Sequence, residues 1–302
     1  MQNKSRTVGV IGFGVIGSSM ARNLARKGYT VFGCSRSSSK VRALADEGII
    51  AMESPEKLAH ETSTVITSVT DGKALHDVLW GSGQLLAHLP PSSLIIDTTT
   101  VSPSEALEAS SRCNALSVDF CDAPVTGGDI GARNATLTIM CGGTREVITK
   151  ARAFLECLGS KIVHVGPVGA GQRTKAANQI AIALGIVAMT EALHFARTQG
   201  LDVSTTLDIL QGGSAGSWAL SNYGPRLIKG DLSPGFDAAH MLKDIRIALS
   251  ESSNVCNLPG AAIAAELFEQ LVTNHPGLGN HALIESYASF PREGTRLCPG
   301  DQ

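Results

Sequence analysis

No long run of basic residues occurs in this chain, and its net charge is only -2. Nucleic-acid and membrane-surface binding rest on clustered positive charge, so neither is expected. Cysteine pairs of the C-x-x-C type are absent too. The seven cysteines are odd in number and follow no metal-ligand or disulfide spacing. No metal is therefore expected, and a reducing cytoplasm is the simplest setting. The first residues, MQNKSRTVGVIGFG, lack the apolar segment and cleavage site of a secretory signal and lead straight into a strand pattern. Nor does an apolar stretch reach membrane-spanning length without polar interruption. The nearest follows Lys175 and holds for about 15 residues, so no membrane partner is expected.

What is present is a Gly-rich, aromatic-poor globular chain of 302 residues, 43% hydrophobic and 17% charged. That length favours two domains. In the first half, short β-rich runs alternate with helical stretches. TVGVIGFG, YTVFGCSR, STVITSVT, SLIIDTTT, VDFCDAPVTGG, ATLTIMCGG and KIVHVGP read as strands, and SSMARNLARKG as a helix closed by Gly28. Such alternation means βαβ units and a mostly parallel sheet. Near Pro167 the pattern becomes helical. SPGFDAAHMLKDIRIALSESSN and PGAAIAAELFEQLVTNH read as helices, and the tail SFPREGTRLCPGDQ as a poorly ordered end.

Gly12-Phe13-Gly14-Val15-Ile16-Gly17 is a G-x-G-x-x-G placed between a strand and a helix, which makes it a strong dinucleotide fingerprint, with a Gly-rich turn that holds no ligand as the alternative. Gly12 permits the tight turn, Gly14 the approach of a pyrophosphate, and Gly17 the packing of helix on strand. The helix N-terminus would face the phosphates with its free N–H groups. The expected fold is α/β: an N-terminal Rossmann dinucleotide-binding domain over residues 1–166 and an all-helical domain over 167–302. A long interdomain helix over about 172–199 joins them.

After the second strand, where NAD enzymes usually carry an acidic residue for the ribose, stand Ser35, Arg36 and Ser37. A guanidinium flanked by hydroxyls suits a 2′-phosphate, so NADP is expected over NAD. Arg36 stacked on adenine or turned to solvent is the alternative. Thr126-Gly127-Gly128 directly follows a strand and can present successive N–H groups to a carboxylate, or simply form a tight loop. Between Thr174 and Thr190 a helix carries one charge, Lys175, with Asn178 and Gln179 one turn on and on the same face. An apolar setting would lower the lysine's pKa toward the working range and fit it for proton exchange. A first-turn lysine reaching water is the other reading.

Four blocks, GVIGFGVIGSSMARNL, DAPVTGGDIGARNATLTIMCGG, GAGQRTKAANQ and PGFDAAHMLKD, together resemble the β-hydroxyacid dehydrogenase family over roughly residues 7–290. That family includes 3-hydroxyisobutyrate dehydrogenase and tartronate semialdehyde reductase. The third block, continued to Leu193, and GLGNH look closest to tartronate semialdehyde reductases. The resemblance implies a catalytic role for Lys175 and a carboxylate site at Thr126, Gly127 and Gly128, with Thr in place of the commoner Ser. It implies substrate contacts from Asn178, Gln179 and Trp218, and cofactor contacts from Val69, Thr70, Thr99 and Lys243, beside Asp244. Gln179 stands where the family often has Asn. A homodimer or homotetramer is implied too. The expected activity is NADP-dependent hydride transfer at C3 of a small 3-hydroxy acid, tartronate semialdehyde/glycerate first. 3-Hydroxyisobutyrate and serine or threonine are rivals. Imine reductases share the fold and the NADP site but generally lack this lysine. A cofactor-bound interaction module without catalysis is the reading from another class.

Overall fold

A computed structural model describes residues 6–253 and 255–287. The expectation for the tail at 289–302 falls outside them. The chain divides into two compact units between Lys175 and Ala176. The sequence pattern changes earlier, near Pro167.

Among its described residues the first unit holds nine strands: β1 (Thr7–Ile11), β2 (Thr30–Cys34), β3 (Ile49–Ala51), β4 (Thr64–Thr67), β5 (Leu94–Asp97), β6 (Asp119–Asp122), β7 (Val125–Thr126), β8 (Leu137–Gly142) and β9 (Gly159–Gly166). Between them lie α1 (Val15–Arg26), α2 (Ser38–Arg42), α3 (Pro55–Glu61), α4 (Gly72–Leu79), α5 (Leu85–His88), α6 (Pro103–Ala115), α7 (Gly128–Asn134) and α8 (Arg145–Leu155). Strand order is β3-β2-β1-β4-β5-β6-β8-β7, with β9 on β8. From β3 to β6 every pairing is parallel. β8 runs antiparallel to β6 and β7, and β9 returns parallel to it.

Burial explains why these strands read as apolar runs rather than alternating patterns. All five residues of β1 are buried. Val8, Val10, Ile66 and Ile96 enter a core with Met20 and Leu24 of α1, while Ile11, Val65 and Ile95 enter a second core with Leu58, Leu75 and Ala106. A sheet covered on both faces requires this. Helix starts are set locally. Ser102 and Glu105 form a reciprocal cap on α6 with Pro103 at its first position, and Ser54 caps α3 ahead of Pro55. β3, with its exposed Ile50 and Ala51, is a short edge strand that gave no apolar run to read.

The long helix α9 (Ala170–Thr198) crosses the division between the units. It is 29 residues long, and by length and mean hydropathy alone it could cross a membrane. The apolar stretch visible in the sequence is shorter because polar side chains fill its first turns. The second unit continues with α10 (Val203–Gly212), α11 (Trp218–Asn222), α12 (Gly224–Ile228), α13 (Ala238–Ser252) and α14 (Pro259–Asn274), and a 3-10 segment at Asn280–Ser286. Ala183, Ile186, Met189 and Leu193 of α9 pack in its core with Leu207, Met241, Ile245, Phe268 and Leu283. α9 thus serves as a core element of this unit. The molecule is α/β, with a Rossmann-type parallel sheet first and a helical domain after it.

Candidate active site

The C-terminal ends of β1, β2, β4 and β5 share one edge of the sheet, and the strand order reverses between β1 and β4. Ligands of open parallel sheets bind outside such an edge, at the reversal. The loop from Gly12 to Gly17 leaves β1 there. A Cβ on Gly12, at φ +100°, would stand 2.1 Å from the Ser68 carbonyl oxygen, and one on Gly17 would stand 2.0 Å from the Gly12 oxygen. Neither position has room for a methyl. A Cβ on Gly14 would meet nothing within 4 Å. Packing therefore demands the outer glycines, and the middle one faces open space. No side chain caps α1, and no acidic residue occupies its first turn. Uncapped N–H groups and a positive dipole end suit a pyrophosphate. Phe13 is buried and Val15 exposed, so Phe13 can offer only its backbone here.

Past β2, Ser35 is half-buried and Arg36 and Ser37 are exposed. Among the described residues Arg36 has no ion-pair partner. Past β4 and β5, the Val69 N–H donates to Thr99 Oγ1 at 3.1 Å, which ties together two positions expected at the cofactor. Thr70 is exposed. Beneath them Asp97 is fully buried. Its Oδ1 accepts from Thr67 Oγ1 at 2.7 Å and from the Thr99 N–H at 3.1 Å. Burial pushes the Asp97 carboxyl up to about 6, against those hydrogen bonds and with added repulsion from Asp122, its neighbour in register.

Asp122 ends β6 and starts α9. Its Oδ1 accepts from the Gly169 N–H at 2.8 Å and its Oδ2 from the Gln172 N–H at 2.9 Å. The buried carboxylate is packed so closely that a Cβ on Gly171 would stand 2.6 Å from Oδ2. Desolvation raises its pKa, and the backbone N–H groups oppose the rise. Gln172 reaches back to the sheet edge: its Nε2 donates to the Thr99 carbonyl at 2.8 Å, and its Oε1 accepts from the Val101 N–H at 3.2 Å. One turn further on stands Lys175, only 6% exposed. Val69, Thr99, Gln172 and the first turns of α9 thus form one hydrogen-bonded assembly.

Thr126, Gly127 and Gly128 are half-buried at the junction of β7 and α7, with φ at +127° and +65° for the two glycines. Consecutive left-handed backbone turns the peptide N–H groups of such a loop into a concavity fit for an anion.

In the second unit, Asn178 Nδ2 donates to Gln179 Oε1 at 2.9 Å, and Gln179 Nε2 donates to Asp244 Oδ2 at 2.6 Å. Asp244 is buried and its Oδ1 pairs with Lys243 Nζ at 2.9 Å. Both ends of the Gln179 amide are therefore engaged. Trp218, 45% exposed, opens α11 and packs edge-on against Tyr223 at 5.0 Å.

Sequence reading gave no role to Asp97, Asp122 or Gln172. A charge ending an apolar strand was the visible signal for both aspartates. Thr67 lies 30 residues from Asp97, the N–H donors to Asp122 lie 47 and 50 residues away, and the side-chain partners of Gln172 more than 70.

Residues 7–166 match the model of the NAD binding domain of 6-phosphogluconate dehydrogenase, and residues 169–287 that of the NAD-binding part of NADP-dependent 3-hydroxyisobutyrate dehydrogenase. The chain is 35% identical to 2-hydroxy-3-oxopropionate reductase of Escherichia coli (strain K12), over 92% of this chain and 95% of that protein. It is 36% identical to a probable 3-hydroxyisobutyrate dehydrogenase-like protein, mitochondrial, of Arabidopsis thaliana, over 92% and 84%. Among solved structures it is similar to the 3-hydroxyisobutyrate dehydrogenase of Mycobacterium tuberculosis solved with L-serine. The TM-score is 0.83 at 30% identity, over 94% of this chain and 99% of that one.

Proposed function

The chain belongs to the β-hydroxyacid dehydrogenase family of NAD(P)-dependent oxidoreductases acting on CH–OH groups, and we propose that it interconverts tartronate semialdehyde and glycerate with NADP. The observation that carries this reading is a buried lysine in the first turns of the long helix α9, anchored through Gln172 and Asp122 to the edge that holds the glycine loop. Residues 1–166 then form the cofactor domain and 167–302 the substrate and oligomerisation domain of a soluble cytoplasmic homodimer or homotetramer.

When bound, the nicotinamide accepts or returns the hydride. The backbone of Gly12 to Gly17 holds the pyrophosphate, and Val69, Thr70, Thr99 and Lys243 complete the cofactor's contacts. Ser35, Arg36 and Ser37 hold the 2′-phosphate, a choice supported by the lack of a carboxylate where β2 ends. Thr126, Gly127 and Gly128 hold the substrate carboxylate. Lys175 Nζ takes the hydroxyl proton as the alcohol is oxidised, and gives it to the forming alkoxide in reduction. Asn178, Gln179 and Trp218 shape the other end of the substrate. Gln179, held by Asp244, selects by orienting its amide rather than by reaching freely.

The test is nicotinamide absorbance with NADPH and NADH against tartronate semialdehyde. In the oxidative direction NADP and NAD are run against 3-hydroxyisobutyrate and both stereoisomers of serine and threonine. The expected outcome is fastest turnover with NADPH and tartronate semialdehyde, falling by about 100- to 10,000-fold in Lys175→Ala. Near-normal turnover in that variant sinks the role of Lys175. Faster turnover of 3-hydroxyisobutyrate or a 3-hydroxy amino acid moves the substrate assignment to that acid.

A further inference from the structure

Away from the sheet edge just described, two helices of the first unit bring a carboxylate and two imidazoles together. Glu56 and His60 stand one turn apart on α3, so both project from one face of it. The opposite face, Leu58 and Ala59, is buried against the sheet. The start of α3 is fixed by Ser54, whose Oγ accepts the Lys57 N–H at 3.1 Å, and by Pro55. His88 ends α5, whose Leu85 and Leu86 are buried in the same core as Leu58. Packing thus fixes both backbones, and the three polar side chains meet at the surface.

His88 Nε2 lies 3.9 Å from Glu56 Oε1, and the His60 and His88 rings are 5.6 Å apart, edge to face. One ligand atom from each of the three residues falls within 4.8 Å of the others. Around a tetrahedral ion with bonds of about 2.0–2.2 Å, ligand atoms stand roughly 3.4 Å apart. Exposed Glu56 and His60 can close that difference by side-chain rotation alone. The neighbouring Lys57 ammonium is tied to Glu53, so the local cation is already engaged elsewhere.

We propose that Glu56, His60 and His88 bind one divalent transition-metal ion, with zinc as the reference ligand. Two imidazoles and one carboxylate leave a fourth position for water, a donor set that favours zinc, cobalt or nickel over magnesium or calcium. The ion would clamp α3 to α5. Each of these helices is too short to hold its shape without its neighbours. An ion that binds only the folded chain adds stability by mass action.

The experiment uses the full chain, free of any histidine tag and stripped with EDTA. Zinc binding is followed by calorimetry and cobalt binding by visible absorption. The wild type should take up one equivalent of zinc, give a tetrahedral cobalt spectrum and melt at a higher temperature with zinc than without. His60→Ala, His88→Ala and Glu56→Gln should each weaken binding by about tenfold or more and keep the wild-type melting temperature in EDTA. His76→Ala, another exposed histidine of this unit beside Asp77, should bind as the wild type does. No uptake by the wild type, or equal uptake by His60→Ala and His88→Ala, overturns the proposal.

Discussion

Three glycines in one loop carry different duties, and a single methyl separates them. Gly12→Ala would drive a Cβ against the Ser68 carbonyl at a φ of +100°. It should cost about 2 kcal/mol or more in urea unfolding, through strain and displaced backbone. Gly14→Ala meets no atom of the protein. It should leave unfolding unchanged within about 0.5 kcal/mol, because surface substitutions away from packed features do so, and still weaken NADPH binding severalfold in a fluorescence titration. Normal cofactor affinity in Gly14→Ala would remove the loop from the pyrophosphate. The loop was legible because its meaning is local: strand, turn and helix lie within a dozen residues. Gln172 was not, since nothing near it in sequence says that its amide spans Thr99 and Val101.

At the scale of elements, α9 is positioned by its entry. Gln172→Leu keeps the bulk but leaves the Thr99 carbonyl and the Val101 N–H buried without a partner. Each such group costs about 1–3 kcal/mol. The expected outcome is a loss of roughly 2–4 kcal/mol in chemical denaturation, with turnover falling more than cofactor affinity as Lys175 loses its fixed register. Beneath the ends of β4 and β5, Asp97 sets a pH dependence. Burial holds its folded pKa at about 6, above the ordinary aspartate value of 3.8. Between those pH values the folded carboxyl keeps its proton while the unfolded one has lost it, so this group's contribution to stability falls as pH rises and levels off above about 6. Asp97→Asn has no such titration. Its stability relative to the wild type should improve by about 2 kcal/mol between pH 4 and pH 7, measured by urea melts across that range. A constant difference would show that Asp97 titrates normally. Elements with a continuous apolar run, such as β1, or a clear apolar face, such as α1, α13 and α14, could be read directly from the chain. The edge strand β3 and the short helices α11 and α12 could not, because they owe their shape to caps and neighbours rather than to a repeating apolar face.

For the whole molecule, the thiols report where the structure is tight. Cys34, Cys113, Cys121, Cys141 and Cys157 are buried in the first unit, while Cys256 of the second is exposed. Burial pushes Cys34 and Cys141 up to about 11 and Cys113 to about 12, and raises Cys121 and Cys157 as well. Few thiolates exist to react. With a thiol reagent and peptide mapping, Cys256 should label in the native protein, and the five buried cysteines of the first unit only as that unit unfolds. Saturating NADPH should slow those five and leave Cys256 unchanged, since a ligand protects the unit that binds it. Unchanged labelling of those five with saturating NADPH would show that the cofactor does not protect the first unit.

The space above Gly14 bears also on inheritance. A lineage that no longer needs the reaction can add a Cβ there without meeting any atom of the protein. Gly12 and Gly17 stay under selection for as long as the fold itself is useful. If the loop holds the pyrophosphate, a descendant that keeps those two and has replaced the middle glycine would announce, from three letters of sequence, that it had kept the scaffold and given up the coenzyme.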